Sequence, residues 1–278
     1  MNVKGVGIGF RRDISDFILS LEGKNKPSFV ELAPENWMNI GGEWKKTLHQ
    51  IAEKYPITCH GLSLSIGSPD EPDWEFLKQI KKFIKETPVQ LYSEHLSFSK
   101  CDNAHLYELL PIPFREDAVK HIVNRINQVQ DFLEMQLVIE NVSYYTPVAA
   151  EMKEEEFISQ IVQESNCGLL LDINNVFVNS FNHKYNPKDF IASLPLDNVK
   201  YIHMAGHEQV APDLIIDTHG QPIVNDVFEL YNWTINYLKP VPVLLERDFN
   251  FEDKDQIMSE INQLKKISNL VWKKEYVA

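Results

Sequence analysis

Eight short β-rich runs alternate with longer amphipathic stretches along this 278-residue chain, and that alternation constrains the fold more than any other feature. The runs lie near 5–10, 29–35, 57–65, 89–97, 137–143, 168–174, 199–206 and 241–247. Helix-like segments separate or follow them: Asp13–Leu21, Glu43–Tyr55, Asp73–Lys85, Arg115–Phe132, Glu154–Glu164, Pro187–Leu194, Val224–Leu238 and Asp253–Leu264. Strands that alternate with helices pair in parallel, and the helices are the crossovers. Eight such units predict an α/β protein closed into a (β/α)8 TIM barrel. One domain over 1–278 is expected, because single barrels routinely reach this length. The glycines of GVGIGF lack the full phosphate-binding spacing, so a tight strand end is the better reading there.

Local signals agree with this plan. Asp13 precedes Ile14, Phe17, Ile18 and Leu21 at helical spacing. Asp70, between Pro69 and Pro72, opens the segment WEFLKQIKKFIKE, whose Trp74, Phe76, Leu77, Ile80, Phe83 and Ile84 form one core-facing stripe. The segments 98–114 and 207–223 are long for plain barrel loops and both follow strands, which places them on the functional face.

Six runs carry, near their ends, a residue of a type that binds metals: His60, His95, Glu140, Asp172, His203 and Glu246. In a barrel, strand C-termini converge on one mouth. The strand period of two puts Leu170, Asp172 and Asn174 on one face, as it does Tyr201, His203 and Ala205, and Leu244, Glu246 and Asp248. A carboxylate buried in such a lumen without a partner costs several kcal/mol, roughly the scale for buried charge, and a bound cation removes that cost.

Each residue taken alone has a blander reading. A single histidine can be hydrogen-bonded core, Glu140 or Glu246 can pair with Arg247 or Arg11, and Asp172 can cap the loop after its strand. Coincidence at six strand ends points instead to a shared cause. His207 follows His203 by four residues, Asp217 and His219 stand at i, i+2 spacing in DTHG, and DINN offers Asn174 and Asn175 as amide ligands or loop formers. Five imidazoles, four carboxylates and an amide exceed what one ion needs, so two or three metals are expected, with a carboxylate such as Glu140 bridging. Mixed nitrogen and oxygen ligation without thiolate suits iron, manganese or zinc. Cys59 precedes His60, so alternation turns it away from that centre.

The motifs HGLSLSIGSPD, SEHLSF, IENVSYY, LLLDINNVFVN, YIHMAGH, LIIDTHG and LLERD, in this order, resemble the DUF692 (UPF0276) family, the multinuclear non-haem iron-dependent oxidases. The resemblance runs from about Gly5 to Asp248. It implies a xylose-isomerase-like barrel with two or three irons that uses dioxygen as co-substrate to modify cysteine in a ribosomally made precursor peptide, as the methanobactin-biosynthesis oxidase does. It also implies a separate partner protein that holds the leader peptide. Carried over residue by residue, the implied ligands are His60, His95, Glu140, Asp172, Asn175, His203, His207, Asp217, His219 and Glu246. GIGFRRD departs from the usual GxGLR of the family, which touches substrate shape more than metal.

Two other classes compete. A metal-dependent hydrolase or isomerase on an endonuclease IV-like or xylose-isomerase-like barrel gathers the same residue types. A non-enzymatic peptide-binding barrel would hold coordinatively closed structural metal. The net charge of -13 disfavours nucleic acid, whose affinity rests on Lys and Arg. Cys59, Cys101 and Cys167 are too few for a disulfide framework, and the start lacks a signal-peptide plan, so a reducing cytoplasm is expected. No apolar stretch approaches the roughly 18 residues that span a membrane.

Overall fold

The computed structural model describes residues 3–102, 104–146 and 148–272. In chain order the strands are β1 (Val6–Gly9), β2 (Val30–Leu32), β3 (Ile57–Gly61), β4 (Val89–His95), β5 (Ser97–Cys101), β6 (Ala104–Pro111), β7 (Leu137–Glu140), β8 (Gly168–Asp172), β9 (Val199–Met204), β10 (His207–Ala211), β11 (Leu214–Asp217) and β12 (Val243–Leu245). Strands β1, β2, β3, β4, β7, β8, β9 and β12 pair in parallel in that order, and β12 closes onto β1 through Val6↔Val243. This is the expected (β/α)8 barrel.

Strands buried on both faces read as continuous apolar runs, as ITC, LVI, GLLL and VLL do. One face of each packs under the helices. The other fills the lumen, where Leu91, Val138, Leu170 and Tyr201 form one buried layer. Val3, Phe29 and Leu244 plug the end away from the strand C-termini. Gly7 has no Cβ because one would lie 2.6 Å from the Phe29 ring.

Amphipathic helices surround the barrel: α1 (Ser15–Ser20), α2 (Gly42–Lys54), α3 (Trp74–Glu86), α4 (Glu116–Leu133), α5 (Glu154–Ser165), α6 (Ile173–His183), α7 (Pro187–Ser193), α8 (Asn225–Thr234) and α9 (Lys254–Trp272). In α3, Leu77, Ile80 and Phe83 are buried as the spacing predicts, whereas Trp74 at the first turn is 38% exposed and leans on Phe132. The cap of α3 is Asp73, which accepts from Phe76 N at 2.9 Å, rather than Asp70. Asp70 instead accepts from Asp102 N at 3.1 Å and ties down the β5–β6 turn.

The structure refines the sequence reading at four further points. The long segments 98–114 and 207–223 are largely antiparallel hairpins, β5–β6 and β10–β11, standing on the C-terminal face of the barrel. Helix α6 was not expected, since INNVFVNSFNH is rich in asparagine and β-branched residues of low helix propensity. It forms because Asp172 caps it, accepting from Asn175 N at 2.6 Å, and because Asn175 and Asn179 spend their amides on the carbonyls of Asn141 and Val142. Helix α8 stops at Thr234 and tightens into a 3-10 turn, Ile235–Tyr237, short of Leu238. Helix α9 runs beyond Leu264, and Trp272 docks its indole N–H on the carbonyls of Ile235 and Leu238. The last part of that terminal stretch, 273–278, lies outside the described residues. Among the described residues no helix is long and apolar enough to cross a membrane.

Candidate metal centre

Lumen-facing residues change character along each strand toward its C-terminus. Strand β8 passes from Leu170 to Asp172, β9 from Tyr201 to His203, β7 from Val138 to Glu140, and β4 from Leu91 through Ser93 to His95. The period of two therefore carries an apolar floor into a polar mouth. Register sets neighbours side by side: His95 opposite Glu140, and Asp172 opposite His203.

Three groups of ligand atoms converge among the described residues. In the first, His60 Nε2 lies 3.0 Å and His95 Nε2 3.2 Å from Glu140 Oε2, and the two ring nitrogens are 3.1 Å apart. Donors held about 2.0–2.1 Å from one ion stand roughly 3.0–3.4 Å from one another, so this triangle has the size of a coordination face. The second group is Glu140, Asp172, His203 and Glu246. His203 enters it through Nδ1, 2.8 Å from Glu246 Oε2 and 3.6 Å from Glu140 Oε1. Glu140 thus offers one oxygen to each group, the geometry of a bridging carboxylate. The third is His219, Glu246 and Asp248, with His219 Nδ1 3.5 Å from a carboxylate oxygen of each.

Electrostatics and hydrogen bonding both leave room for cations. Glu140 Oε2, Asp172 Oδ2, Asn175 Oδ1, His203 Nδ1, His219 Nε2 and Glu246 Oε2 are buried without a directed hydrogen bond. Buried polar atoms are normally satisfied, so six unsatisfied ones turned toward one cluster fit metal ligation. Burial alone would lower the His60 pKa, but Glu140 outweighs it and the net result is a rise to about 9. His95 falls to about 4 through burial and the charge of His60. Burial and the Glu140 charge push Asp172 far up. Metal ligation requires His60 and Asp172 to give up their protons, because ligands must be deprotonated, whereas His95 is already neutral. The residues present therefore fit a multinuclear centre.

Of the ten expected ligands, His60, His95, Glu140, Asp172, His203, His219 and Glu246 fall within the three groups. Asn175 lines the same cavity with its free Oδ1. Asp217 sits beside them, 2.7 Å from His219 Nε2 and held by Asn174 at 2.7 Å and Ser143 at 3.2 Å. His207 lies outside the groups. Its Nδ1 meets Asn174 Oδ1 at 2.8 Å and its ring stacks on Phe177, so Asn174 stands between it and Asp217. Gly206 before it is required, because a Cβ would lie 1.9 Å from the carbonyl of Gln221.

The ion-pair alternatives divide. Arg11 does reach the centre, holding Asp248 at 2.5 Å and Glu246 at 3.4 Å. Arg247 turns away from the lumen and pairs with Glu260 at 2.6 Å. Asp172 is both cap, through Oδ1, and cluster member, through Oδ2. Cys59 packs outside the lumen as alternation requires.

Two residues near the centre escaped the sequence reading as candidates. Asp248 shares the phase of Glu246, which was the available signal. Glu31, buried on β2 and 3.1 Å from His203 Nε2, interrupts the apolar run FVELA in the lumen-facing phase.

Above the centre opens a cleft of about 910 Å³. Its walls include His105, Tyr107, Glu108 and Leu109 of β6 and Ile216 and Asp217 of β11. Pairing in the first hairpin jumps from Phe98↔Leu110 to Lys100↔His105, so residues between bulge over the mouth. Bulges of this kind re-aim side chains beside sites.

A family model described as RiPP precursor modification enzyme MbnB/TglH/ChrH, acting on ribosomally synthesised and modified peptides, matches residues 5–269. A UPF0276 protein of Acinetobacter baylyi is 48% identical over 261 residues, covering 94% of this chain and 90% of its own. A UPF0276 protein of Shewanella loihica is 45% identical over 260 residues, covering 93% and 92%. Among solved structures, a xylose isomerase-like TIM barrel protein from Mycobacterium smegmatis in complex with magnesium is similar at TM-score 0.63 and 8% identity, over 97% of this chain and 98% of that one. A D-psicose 3-epimerase is similar at TM-score 0.61 and 12% identity, over 96% and 99%. At such identities these structures speak for the barrel alone.

Proposed function

The chain belongs to the family of RiPP precursor modification enzymes that includes MbnB, TglH and ChrH, and on that premise we propose that it is an iron- and dioxygen-dependent oxidase of cysteine in a precursor peptide. The observation that carries this reading is the pair of groups sharing Glu140 beneath a cleft walled by hairpins. Two or three iron ions held by His60, His95, Glu140, Asp172, Asn175, His203, Asp217, His219 and Glu246 would supply one-electron and dioxygen chemistry.

The residues of the chain do the rest. The layer of Leu91, Val138, Leu170 and Tyr201 closes the lumen from below and keeps water to the mouth. Arg11 fixes Glu246 and Asp248 and offsets part of their charge. Ser143 and Tyr145 anchor Asp217, the first through its hydroxyl, the second by accepting from the Asp217 N–H at 3.0 Å. Asn141 clamps both N–H and C=O of Asp172, so the β8 end cannot drift. The bulged hairpin and β11 present side chains on which an extended peptide can lie with its cysteine pointing down the barrel axis. A partner protein holding the leader peptide would dock outside this cleft.

A second reading has a specific basis. Solved barrels of this shape include sugar epimerases, and shared carboxylates also serve two-metal hydrolysis. The test is purification without oxygen, metal analysis with Mössbauer spectroscopy, and mass spectrometry of a cysteine-containing precursor peptide before and after air. The oxidase reading expects about two or more iron equivalents and a mass change only with dioxygen. Full turnover of a non-oxidative substrate with zinc and no dioxygen would replace it with the hydrolase or isomerase.

A further inference from the structure

Below the ligand-facing atoms runs a chain of hydrogen bonds centred on Glu31. That residue is 1% exposed and belongs to none of the three convergent groups among the described residues. Its Oε2 accepts from Tyr201 OH at 2.8 Å. The Tyr201 oxygen lies 2.5 Å from Ser93 Oγ, and Ser93 Oγ lies 2.8 Å from His60 Nδ1. On its other side Glu31 stands 3.1 Å from His203 Nε2. One carboxylate therefore connects two candidate ligands on different strands.

The direction of every hydrogen follows from it. An ionised carboxylate only accepts. Tyr201 must then give its hydrogen to Glu31, and its oxygen is left to accept from Ser93. Ser93 gives its hydrogen to Tyr201 at 2.5 Å, much the nearer of its two acceptors, the other being the Cys59 carbonyl at 3.2 Å, and so accepts from His60 Nδ1–H. His203 gives Nε2–H to Glu31. Both imidazoles thus carry a hydrogen on the nitrogen facing away from the centre. The nitrogens left to bind an ion are Nε2 of His60, 3.0 Å from Glu140, and Nδ1 of His203, 2.8 Å from Glu246. The partner of the remote ring nitrogen decides which nitrogen ligates.

We propose that Glu31 is a positioning residue that selects the ligating nitrogen of two histidines at once, Nδ1 of His203 directly and Nε2 of His60 through Tyr201 and Ser93. This holds for whichever metal occupies the centre and goes beyond the oxidase reading. Without Glu31 the chain has no fixed polarity. Tyr201 can then donate to Ser93 and Ser93 to His60 Nδ1, which puts the hydrogen on the wrong nitrogen.

The test uses zinc-loaded protein, which is diamagnetic and needs no turnover. Nitrogen-15 NMR of the histidine rings is expected to show metal on Nε2 of His60 and on Nδ1 of His203. In Glu31→Ala both donors lose their acceptor, so both ring patterns are expected to change and zinc affinity to fall roughly 10–100-fold at the positions they serve. His60 keeping its wild-type pattern in Glu31→Ala overturns the proposal, since Glu31 reaches it only through the chain. If that variant does not fold, Tyr201→Phe decides. It leaves the Glu31–His203 pair in place and is expected to alter His60 alone; an unaltered His60, or an equal change at His203, overturns the proposal. Neither readout involves peptide or dioxygen, so failure here is distinct from failure of the oxidase reading.

Discussion

The bridging geometry of Glu140 gives the sharpest residue-scale prediction. Glu140→Gln keeps the size of the side chain and removes the charge shared by two groups. Metal content is expected to drop at both positions, with affinity falling by more than the roughly 10–100-fold typical of outer-sphere changes; equilibrium dialysis with elemental analysis reads this directly. A pH dependence follows from His60, whose pKa is raised to about 9 by Glu140 against the effect of burial. In the metal-free protein that pairing stabilises the fold at low pH and is lost as pH rises through about 9. An incoming ion must displace the proton, so zinc affinity at this position is expected to rise about tenfold per pH unit and level off above about 9. Competition titrations at several pH values measure the slope, and a flat profile would contradict it. At this scale the strand-end candidates were legible because each repeats the same phase at the same place. Glu31 was legible only as one charge inside an apolar run, and Ser93 and Tyr201 gave no signal, since Ser and Tyr are ordinary in strands.

Among the elements, the two hairpins separate function from fold. Tyr107 is 93% exposed, sits at φ +57 on the bulge and makes part of the cleft wall. Tyr107→Ala is expected to weaken peptide binding several-fold and leave metal content and melting temperature unchanged, which peptide titration and calorimetry together check. The Arg247–Glu260 pair works the other way. It joins the β12 end to α9 with both side chains almost fully buried, and Glu260 also accepts from Ile223 N at 2.6 Å. Glu260→Ala strands the Arg247 charge and is expected to cost about 3–5 kcal/mol in denaturant unfolding. The length of 98–114 and 207–223 and their place after strands mark them as functional segments but not as hairpins. Their pairing is a local antiparallel match that period alone does not reveal. Helix α6 was missed because its helicity rests on Asp172 and on carbonyls of the β7 loop, which are remote in sequence.

Over the whole molecule, the barrel does one thing for chemistry: it gives eight strand ends a common rim while plugging the opposite end. The plug is tight where β1 passes Phe29, and Gly7→Ala is expected to destabilise the protein by about 1–3 kcal/mol through overpacking. Urea titration measures that loss. An unchanged midpoint would mean that the Phe29 ring moves aside.

The sequence by itself determined the barrel, the order of its strands and which strand ends carry candidate ligands, because hydrophobic period and strand–helix alternation are local properties that closure merely joins. Only the tertiary structure decided which of those candidates stand close enough to share an ion. Glu140 lies between two groups, Asp248 stands within 3.5 Å of His219, and His207 is set apart behind Asn174. Those outcomes depend on register and on rotamers fixed by neighbours far along the chain, and no one-dimensional period encodes them.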